Sequence, residues 1–360
     1  QAPLAVVEEL WKGVLDAISR LGGEKVTHLA VNHPIPGSAE DENIIRAPSH
    51  LRMLAGNFGP DIPAGRWALG NGEGEGERIG EMDFKKAFWV RTRQNGIFQS
   101  WAPRWTMFSR GNVTEKARVL HFGAASSWAT DEAAGDAASG GSDGRNEEEV
   151  QLAVDLYAGI GYFTLSYLSQ GYAVLAWEIN PFSIEGLRRG AVANGFEVLV
   201  VKGVLDWEAV REIVERRGVV VFAEDNQYAW KRFNEGVRQL EGKGGAGAGR
   251  WKVRHVNLGL LPSSRMGWGV GGAFLGKGEG GWMHVHENIK EAGQEEEERG
   301  GEIVGVVREA MGVQGEEVQE RRDVDVEVRN VAVVKGFGPG VRHVVFDVWV
   351  GPKGEGGELP

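Results

Sequence analysis

Residues 151–164 read Gln151-Leu-Ala-Val-Asp-Leu-Tyr-Ala-Gly-Ile-Gly-Tyr-Phe-Thr164. A short apolar strand ends in Asp155, and a Gly159-x-Gly161 turn then opens a helix. Glycines let the backbone approach a ligand closely, and the first turn of a helix offers free N–H groups. The pattern therefore predicts a strand–turn–helix unit that holds a ligand.

Downstream of this unit, predicted strands alternate with predicted helices. The strands are 151–155, 173–178, 198–201, 219–223, 251–258 and 282–287, and the helices are 160–170, 181–194, 206–217, 228–240 and 303–311. Two further strands, Val324–Val334 and Val341–Val350, flank the glycine-rich turn Gly336–Gly340. This order predicts a doubly wound, mostly parallel α/β sheet with a terminal antiparallel hairpin.

Composition excludes several classes of protein. With 42% hydrophobic residues, the 360-residue chain is not wholly disordered. Without cysteine it has no disulfide, cysteine–zinc site, iron–sulfur cluster or cysteine nucleophile. The net charge of −11 lies in two acidic runs, Asp131–Glu149 and Glu291–Glu302, so the remainder is about neutral.

A basic and aromatic segment precedes the strand–turn–helix unit. Phe84–Arg118 has one acid, Glu115, and its eight basic residues are Lys85, Lys86, Arg91, Arg93, Arg104, Arg110, Lys116 and Arg118. Seven aromatic residues are interleaved with them. Basic groups bind phosphates and aromatic faces stack on unpaired bases, so we interpret the segment as facing RNA. The alternative is a set of strands with solvated arginines and a buried aromatic side.

Acids at two later strand ends indicate a nucleoside. Glu178 lies 19 residues after Gly159, where a carboxylate can accept hydrogen bonds from both ribose hydroxyls. NAD and S-adenosylmethionine both fit, but the dinucleotide pattern has a third glycine where this chain has Thr164. Asp155 suits the ammonium of S-adenosylmethionine, which we therefore favour. Asp225 and Asn226 are predicted to contact adenine or to cap a helix.

Six motifs occur in an order that closely resembles the tRNA wybutosine-synthesising protein 2 family. They are Met107–Lys116, Asp155–Thr164, Glu178–Pro181, Glu224–Asn226, Asn257–Ser264 and His284–Asn288. The resemblance implies a class I (Rossmann-like) S-adenosylmethionine-dependent transferase. It further implies transfer of the 3-amino-3-carboxypropyl group to 4-demethylwyosine at position 37 of tRNA(Phe), with release of 5′-methylthioadenosine. The glycine- and glutamate-rich inserts suggest a filamentous-fungal member.

The resemblance also implies roles for individual residues. The resemblance implies that Ser109, Lys116, Glu178, Asp225 and Asn226 contact the cofactor. The strand–turn–helix pattern had already indicated Asp155, Gly159 and Gly161 as cofactor residues. Arg110, Asn112, Pro262 and Ser263 are assigned to the tRNA side. Our hypothesis is that Ser109 and Lys116 hold the methionine carboxylate, so that Cγ rather than the methyl group faces the base. No general base is identified.

Three other functions remain open. In place of the Asn-Leu-Pro motif of guanine-37 N1-methyltransferases the chain has Gly259-Leu-Leu-Pro262, although Pro262-Ser-Ser alone is an ordinary turn. A methyltransferase is therefore the alternative to aminocarboxypropyl transfer. A non-catalytic RNA-binding relative and an NAD-dependent oxidoreductase are less favoured.

His284 and His286 have metal-ligand spacing but no evident third ligand, so we expect no metal and a packed or RNA-facing pair.

The predicted organisation has four parts. Residues 1–122 form a smaller N-terminal α+β region that opens with a helix over 4–21, and residues 123–149 an acidic low-complexity linker. Residues 150–351 form the S-adenosylmethionine-binding catalytic domain, and residues 352–360 a flexible tail. The stretches 242–249, 269–281 and 291–302 are predicted loop insertions. We expect a cytoplasmic monomer without a membrane anchor, whose partner is the tRNA(Phe) anticodon loop.

Two features depart from the family pattern. Arg254-His255 stands where family members often have an acid–arginine pair. The stretch 198–217 resembles an inserted helix before the strand at 219, which leaves open which strand is third in the sheet.

Overall fold

The computed structural model describes residues 4–32, 47–48, 51–67, 78–122, 149–203, 205–242, 250–276, 280–290, 294–313 and 324–352. Nearly all of the predicted linker, nearly all of the predicted tail and the stretch 243–249 lie outside these residues. The division into domains stays a prediction.

The N-terminal region combines helices with two antiparallel strand pairs. Its elements are α1 (Leu4–Gly22), β1 (Leu29–Asn32), β2 (Leu51–Ala55), α2 (Glu81–Lys86), β3 (Val90–Gln94), β4 (Ile97–Trp101) and α3 (Val113–His121). β1 pairs with β2, and β3 pairs with β4 through the turn at Asn95 and Gly96. This is the predicted α+β composition.

The larger region is built on an eight-stranded sheet. Its strands are β5 (Val150–Asp155), β6 (Ala173–Trp177), β7 (Val198–Val201), β8 (Val219–Phe222), β9 (Trp251–Leu258), β10 (Gly281–Lys290), β11 (Val324–Gly338) and β12 (Val341–Pro352). The spatial order is β11-β12-β10-β9-β5-β6-β8-β7. The strands from β10 to β7 are parallel, and β12 is antiparallel to β10 and β11. The predicted sheet and hairpin are confirmed.

Helices connect these strands. They are α4 (Thr164–Ser169), α5 (Pro181–Ala193), α6 (Trp207–Glu215), α7 (Ala229–Gly242), α8 (Trp268–Leu275) and α9 (Gln294–Val313). α6 lies between β7 and β8 in the chain, and β8 rather than β7 pairs with β6. The strand before Glu224, β8, is therefore the third strand of the series β5-β6-β8, and β7 is an added edge strand.

The centre of the sheet is buried on both faces, because helices cover it on both sides. All five residues of β6 and all four of β8 are buried. Asn180 caps α5 by accepting hydrogen bonds from the N–H groups of Phe182 and Ser183, with Pro181 in the first turn as predicted. Because β5, β6 and β8 are parallel, their carboxyl ends lie at one edge of the sheet, which is where parallel sheets bind ligands.

Two of the predicted loop insertions are wrong in part, because they contain helices. The glycine-rich stretch 269–281 includes most of α8, where a Cβ on Gly272 would lie 2.7 Å from Val307 Cγ1. Its glycines thus allow close packing between α8 and α9. The acidic stretch 291–302 contributes the first turns of α9, where Glu295, Glu296 and Glu297 suit the positive end of the helix dipole.

The N-terminal region packs directly on the sheet region. Ile97 of β4 and Val119 of α3 are buried in one hydrophobic cluster with Leu165 and Leu187. The amide of Asn194 bonds both the N–H and the carbonyl of Phe98. β4 and α3 therefore share a core with the eight-stranded sheet. Among the described residues, no helix is long and apolar enough to cross a membrane.

Candidate functional site

The loop 156–162 lies at the carboxyl edge of the sheet between β5 and α4. Gly159 and Gly161 have φ values of +54° and +89°, a region that favours glycine. A Cβ on Gly161 would also lie 3.1 Å from Leu187 Cγ, so the loop packs closely on α5. The helix begins at Thr164 rather than at the predicted Ile160, because these residues form the turn.

Glu178 follows β6 and faces this loop. Its Oε2 accepts a hydrogen bond of 2.7 Å from the Gly159 N–H, and Oε1 accepts bonds from the N–H groups of Ile179 and Asn180. Burial raises the pKa of Glu178, against the effect of these three donors. The carboxylate is thus held in one orientation, with acceptor capacity left on Oε2.

Asp155 ends β5 and is fully buried. One oxygen accepts a 2.7 Å bond from Thr164 Oγ1 and the other a 3.1 Å bond from Asn257 Nδ2. Burial raises the pKa of Asp155. Asn257 Oδ1 is buried and has no hydrogen-bond partner among the described residues. The pair therefore leaves a buried acceptor unsatisfied next to an acid.

Asp225 and Asn226 follow β8 on the same side of β5 as Glu178. Asp225 accepts a 2.8 Å bond from the Gln227 N–H and caps a short helical turn, as the capping alternative predicted. Asn226 Nδ2 donates a 2.6 Å bond to the carbonyl of Leu156. This bond ties the end of β8 to the loop.

Ser109 reaches the loop from the N-terminal region. Its N–H donates to the Tyr162 hydroxyl over 2.5 Å, and that hydroxyl lies 3.2 Å from the Met107 carbonyl. Ser109 Oγ lies 3.2 Å from Asn112 Oδ1. Burial raises the pKa of Tyr162, so its hydroxyl stays protonated.

Lys116 of α3 is 2% exposed and has no carboxylate partner among the described residues. Its ammonium donates to Gln94 Oε1 at 2.6 Å and Gln99 Oε1 at 3.1 Å, and lies 4.4 Å from the centroid of the Tyr162 ring. Burial lowers the pKa of Lys116 to about 8. Burying a cation whose hydrogen bonds go only to neutral amides is costly, and an anionic ligand would supply the missing counter-charge.

The sequence-predicted cofactor residues other than Asp225, whose carboxylate bonds the Gln227 N–H, therefore converge on one loop. Asn226 contacts its start at Leu156, Glu178 its middle at Gly159, and Ser109 and Lys116 its end at Tyr162. Asp155 lies beneath it. The sequence separation of these residues is large, so only the fold brings them together.

Pro262 and Ser263 lie on the other side of β5, after β9. Pro262 is exposed, and Ser263 Oγ bonds Glu287 Oε1 at 3.0 Å. Glu287 also accepts from Ser264 and from Arg299, and burial raises its pKa. The side chain of Ser263 is thus engaged within the protein, while Pro262 is open.

The basic segment is divided between surface and interior. Arg91, Arg93 and Arg110 are exposed. Arg118 instead turns inward and pairs with Glu115 at 2.7 Å and Asp347 at 2.8 Å. For Lys116 and Arg118 the RNA-facing interpretation is wrong, because both side chains are engaged with other side chains of the protein.

The histidines form buried pairs. His255 bonds His284 at 3.1 Å and His284 bonds Asp347 at 2.7 Å, while His286 bonds His343 at 2.9 Å. His284 and His286 are thus packed rather than RNA-facing. Among the described residues no group of three or more histidines or acids has the geometry of a metal site.

Sequence reasoning missed several residues of the site. Gln94, Gln99 and Lys335 lie outside the motifs that were singled out, and Lys335 Nζ is 3.2 Å from Ser109 Oγ. Tyr162 belongs to the motif Asp155–Thr164, and only its aromatic hydroxyl in a glycine-rich turn indicates a role in the site.

The chain is similar in sequence to two yeast proteins. It is 37% identical over 327 residues to tRNA wybutosine-synthesizing protein 2 of Schizosaccharomyces pombe, covering 90% of this chain and 61% of that protein. It is 32% identical over 335 residues to the protein of the same name from Saccharomyces cerevisiae, covering 90% and 60%. The chain thus spans about six tenths of the length of these relatives. No family model matches it.

Among solved structures, the chain is similar to M. jannaschii TYW2 in complex with AdoMet. The identity is 20%, the TM-score is 0.45, and the alignment covers 73% of this chain and 86% of that one.

Proposed function

We propose that the chain, which aligns over 90% of its length with two proteins of that name, belongs to the tRNA wybutosine-synthesizing protein 2 family and shares its function. It transfers the 3-amino-3-carboxypropyl group of S-adenosylmethionine to 4-demethylwyosine at position 37 of tRNA(Phe). The by-product is 5′-methylthioadenosine. The observation that carries the proposal is the convergence of Glu178, Asn226, Ser109 and Lys116 on the loop 156–162.

The residues at the loop fit the three parts of this cofactor. The Glu178 carboxylate keeps acceptor capacity for ribose hydroxyls, and Asp225 and Asn226 offer polar atoms for adenine. The unpartnered Asn257 Oδ1 suits an ammonium, and Lys116 suits a carboxylate. Asp155 is fully buried and bonds Thr164 and Asn257, so we assign Asp155 to positioning these two side chains.

When bound, the cofactor would supply a sulfonium from which 5′-methylthioadenosine leaves readily as the base attacks the aminocarboxypropyl carbon and loses a proton. The task of the chain is therefore to orient the carbon that reacts. In our proposal Lys116 and Ser109 hold the carboxylate end on the α3 side of the loop, while Glu178 holds the ribose on the β6 side. Two fixed ends determine which substituent of the sulfonium faces the base.

For the tRNA side we propose Arg110, Asn112, Pro262 and Ser263. Arg110 is exposed beside Ser109, and Pro262 is exposed beyond β9, so these positions flank the loop from two directions. Asn112 acts through its contact with Ser109, and Ser263 through Glu287. The anticodon loop, a cytoplasmic location and a monomeric state stay predictions.

The test is to follow the label from two forms of S-adenosylmethionine. One form carries the label in the aminocarboxypropyl group and the other in the methyl group, and each is incubated with protein and precursor-bearing tRNA(Phe). Our proposal requires label in tRNA from the first form alone. Label from the methyl form alone, in this tRNA or in unmodified tRNA that keeps guanine at position 37, would show methylation and contradict the proposal. Unmodified tRNA is the control.

A further inference from the structure

Lys335 lies on β11, far from the cofactor motifs in sequence, and reaches across to Ser109. Its ammonium is 3.2 Å from Ser109 Oγ, although 226 residues separate the two. The side chain passes directly over Gly111, where a Cβ would lie 2.5 Å from both Cδ and Nζ of Lys335. A glycine at 111 is therefore what lets this ammonium reach Ser109.

The charge of Lys335 is uncompensated within the described part of the chain. No acidic side chain there forms an ion pair with it, and burial lowers its pKa. Lys116 shares both properties. The half-buried ammonium of Lys335 and the buried ammonium of Lys116 thus flank Ser109 and Tyr162 without an anion. Burying these charges unpaired costs free energy unless a ligand supplies the anion.

The anion that fits is a small carboxylate at Ser109. The N–H of Ser109 already binds the Tyr162 hydroxyl at the end of the loop 156–162, so a group held there would be continuous with a nucleoside bound at that loop. Arg110, which is exposed, is the better-placed cation for a nucleic-acid phosphate. We propose that Lys335 is a second cation that binds the carboxylate of the aminocarboxypropyl group, across Ser109 from Lys116. This inference rests on the proposed function.

The experiment compares two ligands that differ in this group. Equilibrium dissociation constants are measured for S-adenosylmethionine and for 5′-methylthioadenosine, which lacks the carboxylate, with wild type, Lys335→Met and Gly111→Ala. We expect Lys335→Met to weaken S-adenosylmethionine binding at least tenfold and 5′-methylthioadenosine binding less than twofold. Gly111→Ala should have the same selectivity, because its methyl group displaces the ammonium while keeping the charge. Lys12→Met, at an exposed position of α1, is the control.

Three results would overturn the inference. They are unchanged S-adenosylmethionine binding by Lys335→Met, equal loss of both ligands, and, in a parallel binding measurement with tRNA(Phe), loss of tRNA binding alone, which would assign Lys335 to a phosphate. Failure of the proposed function gives results that are distinguishable from these three. Wild type that binds neither ligand overturns both proposals, whereas wild type that binds S-adenosylmethionine and transfers methyl overturns the proposed function while Lys335 is still tested.

Discussion

Lys116 and Glu178 are the two charged residues that define the ends of the loop site. Lys116 approaches Tyr162 from α3, and Glu178 approaches Gly159 from the end of β6. Glu178 has three backbone donors, whereas the ammonium of Lys116 has only amide oxygens and aromatic rings around it. Replacing each residue is therefore expected to have a different effect on stability and on ligand binding.

Replacing Lys116 should separate binding from stability. Lys116→Met removes a buried charge that lacks a carboxylate partner, so we expect the free energy of unfolding to rise by about 1–2 kcal/mol. Binding of S-adenosylmethionine should weaken at least about tenfold, since the carboxylate loses a charge-assisted bond. Urea unfolding and equilibrium binding measure the two effects. A variant that is less stable than wild type and binds equally well would contradict this assignment.

Replacing Glu178 should affect every ligand that contains the ribose. In Glu178→Gln the amide presents N–H groups to backbone N–H donors, so the side chain loses its orientation. We expect S-adenosylmethionine and 5′-methylthioadenosine each to bind at least about tenfold more weakly. Glu197→Gln, at a half-exposed ion pair with Arg216, is the matched control. Selective loss of S-adenosylmethionine alone would argue against a ribose contact.

At the scale of elements, α3 is fixed to the sheet by an ion pair. Arg118 binds Asp347 of β12 through two hydrogen bonds and Glu115 through two more. Asp347 is fully buried, and hydrogen bonds from His284 and Arg118 outweigh burial and lower its pKa. Because Lys116 lies on the same helix, this ion pair positions the carboxylate end of the site.

Breaking this contact should destabilise the protein and impair the site. Arg118→Met leaves the carboxylates of Glu115 and Asp347 buried without their cation, at a cost of about 3–5 kcal/mol. Urea unfolding is the measurement, and S-adenosylmethionine affinity should fall in parallel. Arg211→Met removes an arginine with two surface partners and should cost less than about 1 kcal/mol. Equal effects of the two substitutions would exclude the positioning role.

β10 and β12 are joined by a buried histidine pair that predicts a pH dependence. Burial lowers the pKa of His343 to about 4, so the unfolded chain binds a proton between pH 6.5 and 4 that the folded chain does not. Stability is then lost as the pH falls through this window, by about 1.4 kcal/mol per unit. We expect the stability advantage of wild type over His343→Gln to shrink by about 2 kcal/mol from pH 7 to pH 5. A pH-independent difference, measured by urea unfolding, would contradict this.

For the molecule as a whole, short-range pattern predicted most of the parallel sheet. Strands such as β7 and β9 were predicted with their observed bounds, because apolar runs bounded by turn residues carry that information locally. The acids at strand ends followed from the geometry of such sheets. Family resemblance added Ser109 and Lys116, which no local pattern had indicated.

The remaining features depend on contacts that sequence pattern does not reveal. The glycines of α8 suggested a loop, yet they serve close packing against Val307 and Met283. Arg118 suggested an RNA contact, yet its partner Asp347 lies 229 residues away. Lys335 had no signal at all, because its relation to Ser109 exists only once the terminal hairpin has folded.

The most direct test of the account is the nucleoside released when the protein is incubated with S-adenosylmethionine and tRNA(Phe) that carries the wyosine precursor. We expect 5′-methylthioadenosine in an amount equal to the modified tRNA. S-adenosylhomocysteine in its place would show methyl transfer, and would contradict the claim that the Lys116 side of the loop presents the aminocarboxypropyl carbon to the base.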